Sequence, residues 1–487
     1  MWIVKRAQQS PNQLALIQLE TNERWTYEQL LQRISCWLHY FTVKQYKQGD
    51  RIAVLMENSI HSFAMLFACR LANLLYVPLN WRLSNEELSS ILDDCAPVLL
   101  ITDEVTNSRG KAIFDYQVMG YSDLEIGNKP ILYNWDYEPN QPWLMIYTGG
   151  TTGKPKGVVL SCEAVTTNAI NTVISWGLND KDCTLNYMPL FHTGGINALS
   201  LPILLAGGTV VIGNKFDAEQ AVLALDSFNT TISLFVPTMY QAIVETTYFY
   251  QSTFPTVKVF LSGGAPCPKT IYKCFSDRGL LFKEGYGLTE AGPNNFYIDP
   301  KVAAVKKGAV GKSMLFNEVK VVNKTGEPCQ SGEIGELYVR GSHVFTKYWN
   351  NDEESQKVLC DNWLKTGDLA MFDEDGDYYI VGRLKEMIIT GGENVYPQEV
   401  EQCLIVQELV DEVAVLGVPD DKWGECVTAF VVTKEPTKQL EDKLRAVCRD
   451  KLGRYKVPKR IIFLSHLPKT VVGKIDKQQL LAYALEH

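Results

Sequence analysis

The chain has 487 residues, 46% hydrophobic and 21% charged, with a formal net charge of −9. That length exceeds what a single core sustains, so at least two domains are expected, and the composition is ordinary for a globular protein. The acidic balance argues against a general nucleic-acid binder, whose phosphate contacts need clustered Lys and Arg. It leaves room for a small polyanion held by local glycines and a few cations.

The opening MWIVKRAQQSPNQLALI carries its charges inside the first apolar segment and does not read as a signal peptide. PWLMIY (142–147) reads as a buried strand, followed by a glycine-rich loop and a helix beginning after Ser161. TLNYMPL (184–190) and TVVI (209–212) are strand-like, with the apolar stretch near 198–212 broken by Gly207 and Gly208 and too short to span a bilayer. DAEQAVLALDSF (217–228) has the N-cap pattern of a helix, Asp217 with Gln220 three residues on. TISLFV (231–236), a further helix, and VKVFLSGG (257–264) continue the alternation, which predicts a mainly parallel α/β sheet with ligands at the carboxyl ends of its strands. After about 316 the pattern changes: 318–341 reads as an antiparallel β unit and DEDGDYYIVGR (373–383) as a hairpin. Beyond Arg383 a compact α+β pattern follows, with a helix at 397–410, strands at 412–418 and 426–433, a helix at 438–452 and a strand at 460–464. No 20–50-residue period repeats. The twelve cysteines show no CxxC pair and no zinc-ligand spacing, so they read as reduced thiols in a cytoplasmic protein.

The stretch YTGGTTGKPKGV (147–158) is built for phosphate but is not the P-loop of NTPases. That motif needs four residues between its glycines and a hydroxyl after its lysine; here Gly149 and Gly153 have three residues between them and Pro155 follows Lys154. Gly149, Gly150, Gly153 and Gly157 let backbone N–H groups face an anion, Thr148, Thr151 and Thr152 add hydroxyls, and Lys156 adds charge.

With this loop stand PLFH (189–192), GGAP (263–266), YGLTE (286–290), GELYVRG (335–341), KTGDL (365–369), GRLKEMI (382–388) and PKTVVGKID (468–476), in order. Together they resemble the adenylate-forming family of acyl-CoA ligases, luciferases and peptide-synthetase adenylation domains, over nearly the whole chain. The resemblance implies a large N-terminal domain (1–382) of parallel-rich α/β sheets with a β-subdomain, a hinge at 383–385, and a small mobile α+β domain (386–487). It implies ATP, Mg²⁺ and coenzyme A as cofactors and a small carboxylic acid as substrate, in a monomer or homodimer without a transmembrane segment, with peripheral membrane contact left open.

The family joins a carboxylate to AMP, releasing pyrophosphate, then passes the acyl group to a thiol. On that resemblance the loop 148–153 with Lys156 wraps the outer phosphates. Gly263, Gly264 and Ala265 face adenine, Glu284, Gly285, Tyr286 and Gly287 belong to the ATP/AMP site, and Thr289 donates to the α-phosphate. Glu290 is the Mg²⁺ ligand, with Thr151 as a second contact, and Asp368 with Arg383 clamps the ribose. Lys474 bridges the carboxylate and the α-phosphate in the first step. Pivoting at Lys385 then exchanges it for ITGGENVYP, whose Gly391 and Gly392 line the thiol's path. Trp423, Tyr455 and Lys459 contact the CoA nucleotide, and His192 gates between the half-reactions. Many relatives carry Ser where this chain has Gly149; the Gly form occurs among fatty-acyl ligases.

Amino-acid-activating relatives place an Asp after the PLF motif; this chain has Phe191-His-Thr-Gly-Gly and no carrier domain. Both features favour a free-standing CoA ligase. His192, Gly195, Val236, Tyr240 and Gly287 would form the acyl pocket, mostly apolar and small, which suits a fatty or aromatic acid, a fatty acid first. A 2-succinylbenzoate ligase and an enzyme that loads a carrier protein are the alternatives.

Overall fold

A computed structural model of the chain describes residues 1–127, 138–149, 155–470 and 475–486. Two units separate: Met1–Cys267 with Cys274–Val319 and Tyr338–Lys365, and Pro268–Lys273 with Lys320–Leu337 and Thr366–His487. The first is α/β and the second α+β, the expected fold class.

In the first unit, Leu14–Gln18, Thr209–Ile212 and Cys183–Asn186 pair in parallel, with Arg24–Thr26 antiparallel at the edge. A larger sheet sets Val118–Gly120, Leu99–Thr102, Arg51–Leu55, Leu75–Pro78 and Pro142–Thr148 in parallel. Its strands are nearly continuous apolar runs, as burial on both faces requires. Two helix starts follow the expected chemistry: Ser161 Oγ accepts from Ala164 N at 3.0 Å and Asp217 from Gln220 N at 2.8 Å.

Two expectations change. The strand expected over 184–190 ends at Asn186, whose side-chain oxygen accepts from Met188 N at 2.8 Å and turns the chain before Pro189. The glycine-rich loop does not lead directly into a helix. A strand, Lys156–Ser161, intervenes and runs antiparallel to Pro142–Thr148, with Thr148 opposite Lys156. The loop therefore joins a hairpin. The short strand Lys347–Tyr348 extends it, Tyr348 lying opposite Val158.

A third sheet positions the residues expected around adenine. Ile232–Phe235, Val259–Ser262 and Phe282–Glu284 run parallel, and Phe235, Ser262 and Glu284, their last residues, stand side by side in register. Tyr240, Phe260, Phe275 and Phe282 pack edge-on and tilted against this sheet, with ring centroids 4.8–6.5 Å apart.

In the second unit, Trp363–Phe372 and Tyr378–Arg383 form the expected hairpin, its turn closed by Asp373, whose Oδ1 accepts from Asp375 N and Asp377 N. Beyond it, Glu412–Asp420 and Gly424–Val432 pair along nine residues, flanked by Arg460–Leu464 and the hairpin of Ile388–Thr390 with Glu393–Val395. Alternation divides this sheet cleanly. Val415, Val427, Ala429 and Val431 face the helices Pro397–Ile405 and Lys438–Lys451, whereas Ala414, Leu416, Val418 and Phe430 face Lys477–Glu486. The first of these helices is shorter than the 397–410 expected. All twelve cysteines are unpaired, and among the described residues no helix is long and apolar enough to cross a membrane.

One buried charge rests against aromatic rings. Lys283, 3% exposed, has its ammonium 4.3 Å from the Trp176 ring centre and 4.6 Å from that of Tyr297. Burial lowers its pKa to about 7, partly opposed by Asp299, while an unfolded lysine titrates near ~10.4. Between those values the unfolded chain binds the extra proton, so this group makes stability rise with pH. Lys283→Met should raise the melting temperature most at pH 7 and below, with the gain shrinking toward pH 10; thermal melts across that range check it.

Candidate active site

The in-register row Phe235–Ser262–Glu284 fixes what lies one residue further. Val236, Gly263 and Gly285 emerge together at the carboxyl edge, Gly263 N donating to Phe235 O at 3.3 Å and Gly285 N to Ser262 O at 2.8 Å. Here the adenine-facing residues expected from sequence meet. Gly264 has φ +83°, a left-handed conformation that favours glycine, and with Ala265 it is exposed. Glu284 shapes this turn, its Oε2 accepting from Cys267 N at 3.0 Å.

The loop 286–295 folds back on itself. Asn295 N donates to Tyr286 O at 3.1 Å and Leu288 N to Gly292 O at 3.2 Å. A Cβ on Gly287 would lie 2.2 Å from the Pro293 backbone, so this glycine serves the chain's approach to itself. Thr289 is buried within the single turn Thr289–Ala291. Glu290 beside it accepts from the Tyr348 hydroxyl at 2.8 Å through Oε1, and its backbone oxygen accepts from Phe345 N at 2.7 Å. A carboxylate is the hard oxygen donor that Mg²⁺ takes, and the tyrosine orients this one.

Lys156 is already partnered. Its Nζ stands 2.5 Å from Glu354 Oε2 and 5.2 Å from the Tyr348 ring centre. Hydrogen bonds from Lys156 and Lys357 hold Glu354 below the ordinary carboxylate range. Thr148 Oγ1 donates to Lys156 O at 3.5 Å, and Gly149 is exposed at the end of its strand. Gly150, Thr151, Thr152 and Gly153 lie outside the described residues.

Among the residues expected at the acid, His192 Nδ1 accepts from Gly194 N at 3.2 Å, which puts the proton of the neutral ring on Nε2. The segment Gly194–Ala198 is a π-helical turn, a form frequent at functional sites. Gly195 has no room for a side chain: a Cβ would lie 2.3 Å from Pro189 O. Tyr240 corrects the expected pocket. It is fully buried in the aromatic core, its hydroxyl donating to Leu261 O at 3.0 Å and Ser233 O at 3.2 Å, so it supports the sheet rather than lining a pocket.

A buried amide network unread in the sequence ties the segment 194–198 to the helix Cys162–Trp176 and to the loop 286–295. Asn168 Nδ2 donates to Asn197 O and Asn294 Nδ2 to Ala198 O, both at 2.7 Å. His343, lowered to about 4 by burial and hence neutral, donates through Nε2 to Asn295 Oδ1 at 2.9 Å. Scattered asparagines carry no periodic signal. Tyr348 and Glu354 were also missed. Glu354 stands three residues after its helix N-cap Asn351, a spacing that reads as capping; its side chain goes to Lys156 instead.

In the second unit Asp368 and Arg383 stand opposite each other across the hairpin, Arg383 Nε 2.6 Å from Asp368 Oδ1. Lys385 is exposed in the turn Leu384–Glu386. Gly391 and Gly392 make the left-handed turn between Ile388–Thr390 and Glu393–Val395, with φ +60° and +86°. Gly391 N donates to Trp423 O at 2.8 Å, and a Cβ on Gly391 would meet the Trp423 ring at 3.0 Å. Lys459 Nζ lies 3.6 Å from the Trp423 ring centre. Three of the five residues expected at CoA thus share one surface; Tyr455 is exposed in its own turn, Arg454–Lys456. Lys474 lies outside the described residues, its loop flanked by the bridge Lys469–Ile475.

Comparison with known proteins matches residues 3–349 to the AMP-binding enzyme family and 399–474 to the AMP-binding enzyme C-terminal domain. A feruloyl-CoA synthase of Amycolatopsis sp is 36% identical, covering 98% of this chain and 97% of that protein. An indoleacetate–CoA ligase of Aromatoleum aromaticum is 34% identical over 88% of each. Among solved structures, the Bacillus subtilis o-succinylbenzoate CoA synthetase in complex with ATP and magnesium ion superposes with a TM-score of 0.88 at 28% identity, covering 98% of both chains.

Tyr240→Phe should cost about 1–3 kcal/mol of stability by removing a buried donor, measured by denaturant unfolding, while leaving the KM for the acid unchanged.

Proposed function

The chain belongs to the AMP-binding enzyme family and is an AMP-forming acid–CoA ligase; we propose that its acid is aromatic. The observation that carries this reading is the wall from His192 to Ala198, which has glycine at 194 and 195 and no charged side chain apart from the histidine. Bare backbone there lets a flat ring approach closely, and no carboxylate stands ready for a substrate ammonium. The similarity to a feruloyl-CoA synthase and an indoleacetate–CoA ligase supports an aromatic over a fatty acid. A 2-succinylbenzoate substrate is the second reading, favoured by the 0.88 superposition.

In the first half-reaction a carboxylate oxygen attacks the α-phosphorus, the bond to pyrophosphate breaks, and acyl-AMP forms. Two anions must meet, so the residues supply positive potential. Lys156 and the threonine loop take the outer phosphates, Thr289 donates to the α-phosphate, and Lys474 bridges the two reacting groups. Glu290, with Thr151 assisting, would hold Mg²⁺, and the ion would supply further neutralisation of phosphate charge. Gly263, Gly264 and Ala265 give adenine a flat exposed edge, and Asp368, oriented by Arg383, accepts from the ribose hydroxyls.

In the second half-reaction the thiol sulfur attacks the acyl carbon, its proton is released, and AMP leaves. The smaller domain pivots at Lys385, and the Gly391–Gly392 turn replaces Lys474. Trp423 and Lys459 offer an aromatic face and a cation to the CoA nucleotide, with Tyr455 a further contact, while His192 gates the passage.

A pyrophosphate-release screen with CoA over hydroxycinnamic, arylacetic, dicarboxylic and fatty acids should give its highest kcat/KM with a ring-bearing acid. A preference for long alkyl acids would overturn the aromatic assignment. Lys474→Ala should abolish acyl-AMP formation yet spare thioester formation from supplied acyl-AMP; equal loss of both would remove that lysine's role.

A further inference from the structure

One side chain touches both the anion and the cation that the preceding reading assigns to metal and phosphate. Tyr348 donates its hydroxyl to Glu290 Oε1 at 2.8 Å, and its ring centre lies 5.2 Å from Lys156 Nζ. We propose that Tyr348 is a positioning residue for the nucleotide site, holding the Glu290 carboxylate by its hydroxyl and the Lys156 ammonium on its ring. The inference rests on the reading of Glu290 and Lys156 as metal and phosphate groups.

The backbone fixes the tyrosine from both sides. Thr346 N donates to Val159 O at 2.9 Å and Trp349 N to Gly157 O at 2.7 Å, locking Lys347–Tyr348 onto the strand that begins at Lys156. Tyr348 N donates to Ser355 Oγ at 2.9 Å, and Phe345 N reaches the Glu290 carbonyl. With 6% of its surface exposed, the phenol has little freedom, and a hydrogen bond to a charged carboxylate is of the stronger kind. Glu354 completes the arrangement. It neutralises Lys156 at 2.5 Å, so an entering phosphate competes with a carboxylate for the ammonium while the ring contact holds the stem in place. Metal and phosphate are thereby received by one preset group of side chains, and the hydroxyl spares Glu290 the reorientation it would otherwise need.

The test measures nucleotide binding on the full chain by calorimetry with a non-hydrolysable ATP analogue at a series of Mg²⁺ concentrations. Tyr348→Phe keeps the ring and should raise the Mg²⁺ concentration for half-maximal affinity about tenfold, with metal-free affinity changed less than twofold. Tyr348→Leu removes the ring as well and should also weaken metal-free binding. Glu290→Gln is the reference and should abolish the Mg²⁺ dependence. If Glu290→Gln does so and Tyr348→Phe leaves the dependence unmoved, the tyrosine's role is overturned and the Glu290 reading stands. If Glu290→Gln leaves it intact, the Glu290 reading fails, and the positioning role with it. Leu and Phe variants with equal metal-free affinity would overturn the ring's part. Melting temperatures accompany each variant: a lower one with unshifted Mg²⁺ dependence marks a merely structural tyrosine, and should the Leu variant not fold, the Phe variant alone decides the hydroxyl's part.

Discussion

The in-register ends of three parallel strands are the constraint on which the proposed nucleotide side of the site depends. Phe235, Ser262 and Glu284 stop in one row, so three chains leave the sheet together with backbone groups whose ladder partners have run out. Such an edge is where α/β sheets bind ligands. A Cβ on Gly263 would meet the Leu234 side chain at 3.2 Å and one on Gly285 the Leu261 side chain at 3.3 Å, so both positions stay small. Moving one strand by a residue would reverse which side chains face the aromatic core. Tyr240, Phe260 and Phe275 resist that slip, so the core holds the register and the register aligns the site.

The charges follow a second rule: three of the ionic groups proposed for substrate stand against a partner side chain. Lys156 has Glu354, Glu290 has the tyrosine hydroxyl, and Asp368 has Arg383. An ion desolvated alone is costly, and a partner removes most of that cost. A phosphate or ribose entering the proposed site would exchange one partner for another instead of recruiting naked charge. This exchange is inexpensive only where the geometry is set beforehand, and hydrogen bonds to backbone and short strands provide that setting.

The motifs that define the fold and the phosphate chemistry were legible because each is contiguous: a glycine run, a TGD, a YGLTE. The strand–helix alternation was legible for the same reason, since periodicity is local. What escaped was set by distance along the chain. Tyr348 reaches Glu290 across 58 residues and Lys156 reaches Glu354 across 198, and no spacing announces either. Glu354 even carried a competing local reading, as the third residue of a helix. The hairpin strand after the glycine loop was missed because its apolar residues abut a good helix start at Ser161. Tyr240 was misassigned because a tyrosine after a strand end can face a cleft or a core equally well. Only the two carbonyls around its hydroxyl decide.

Glycine shows the same ambiguity in its sharpest form. Gly287 and Gly264 sit in neighbouring motifs and look alike in sequence, yet a side chain at the first would collide with Pro293 backbone, while at the second it would meet only Val236 at 3.5 Å, with φ +83° as the remaining obstacle. Gly287 answers to the chain; Gly264 answers to a turn whose outer face is exposed. A motif rich in glycine therefore marks where backbone must come close to something, and the identity of that something is a tertiary fact. At the edge of the third sheet both answers occur side by side, and the loop that folds tightly on itself at Gly287 carries Glu290 to the Tyr348 hydroxyl that orients it.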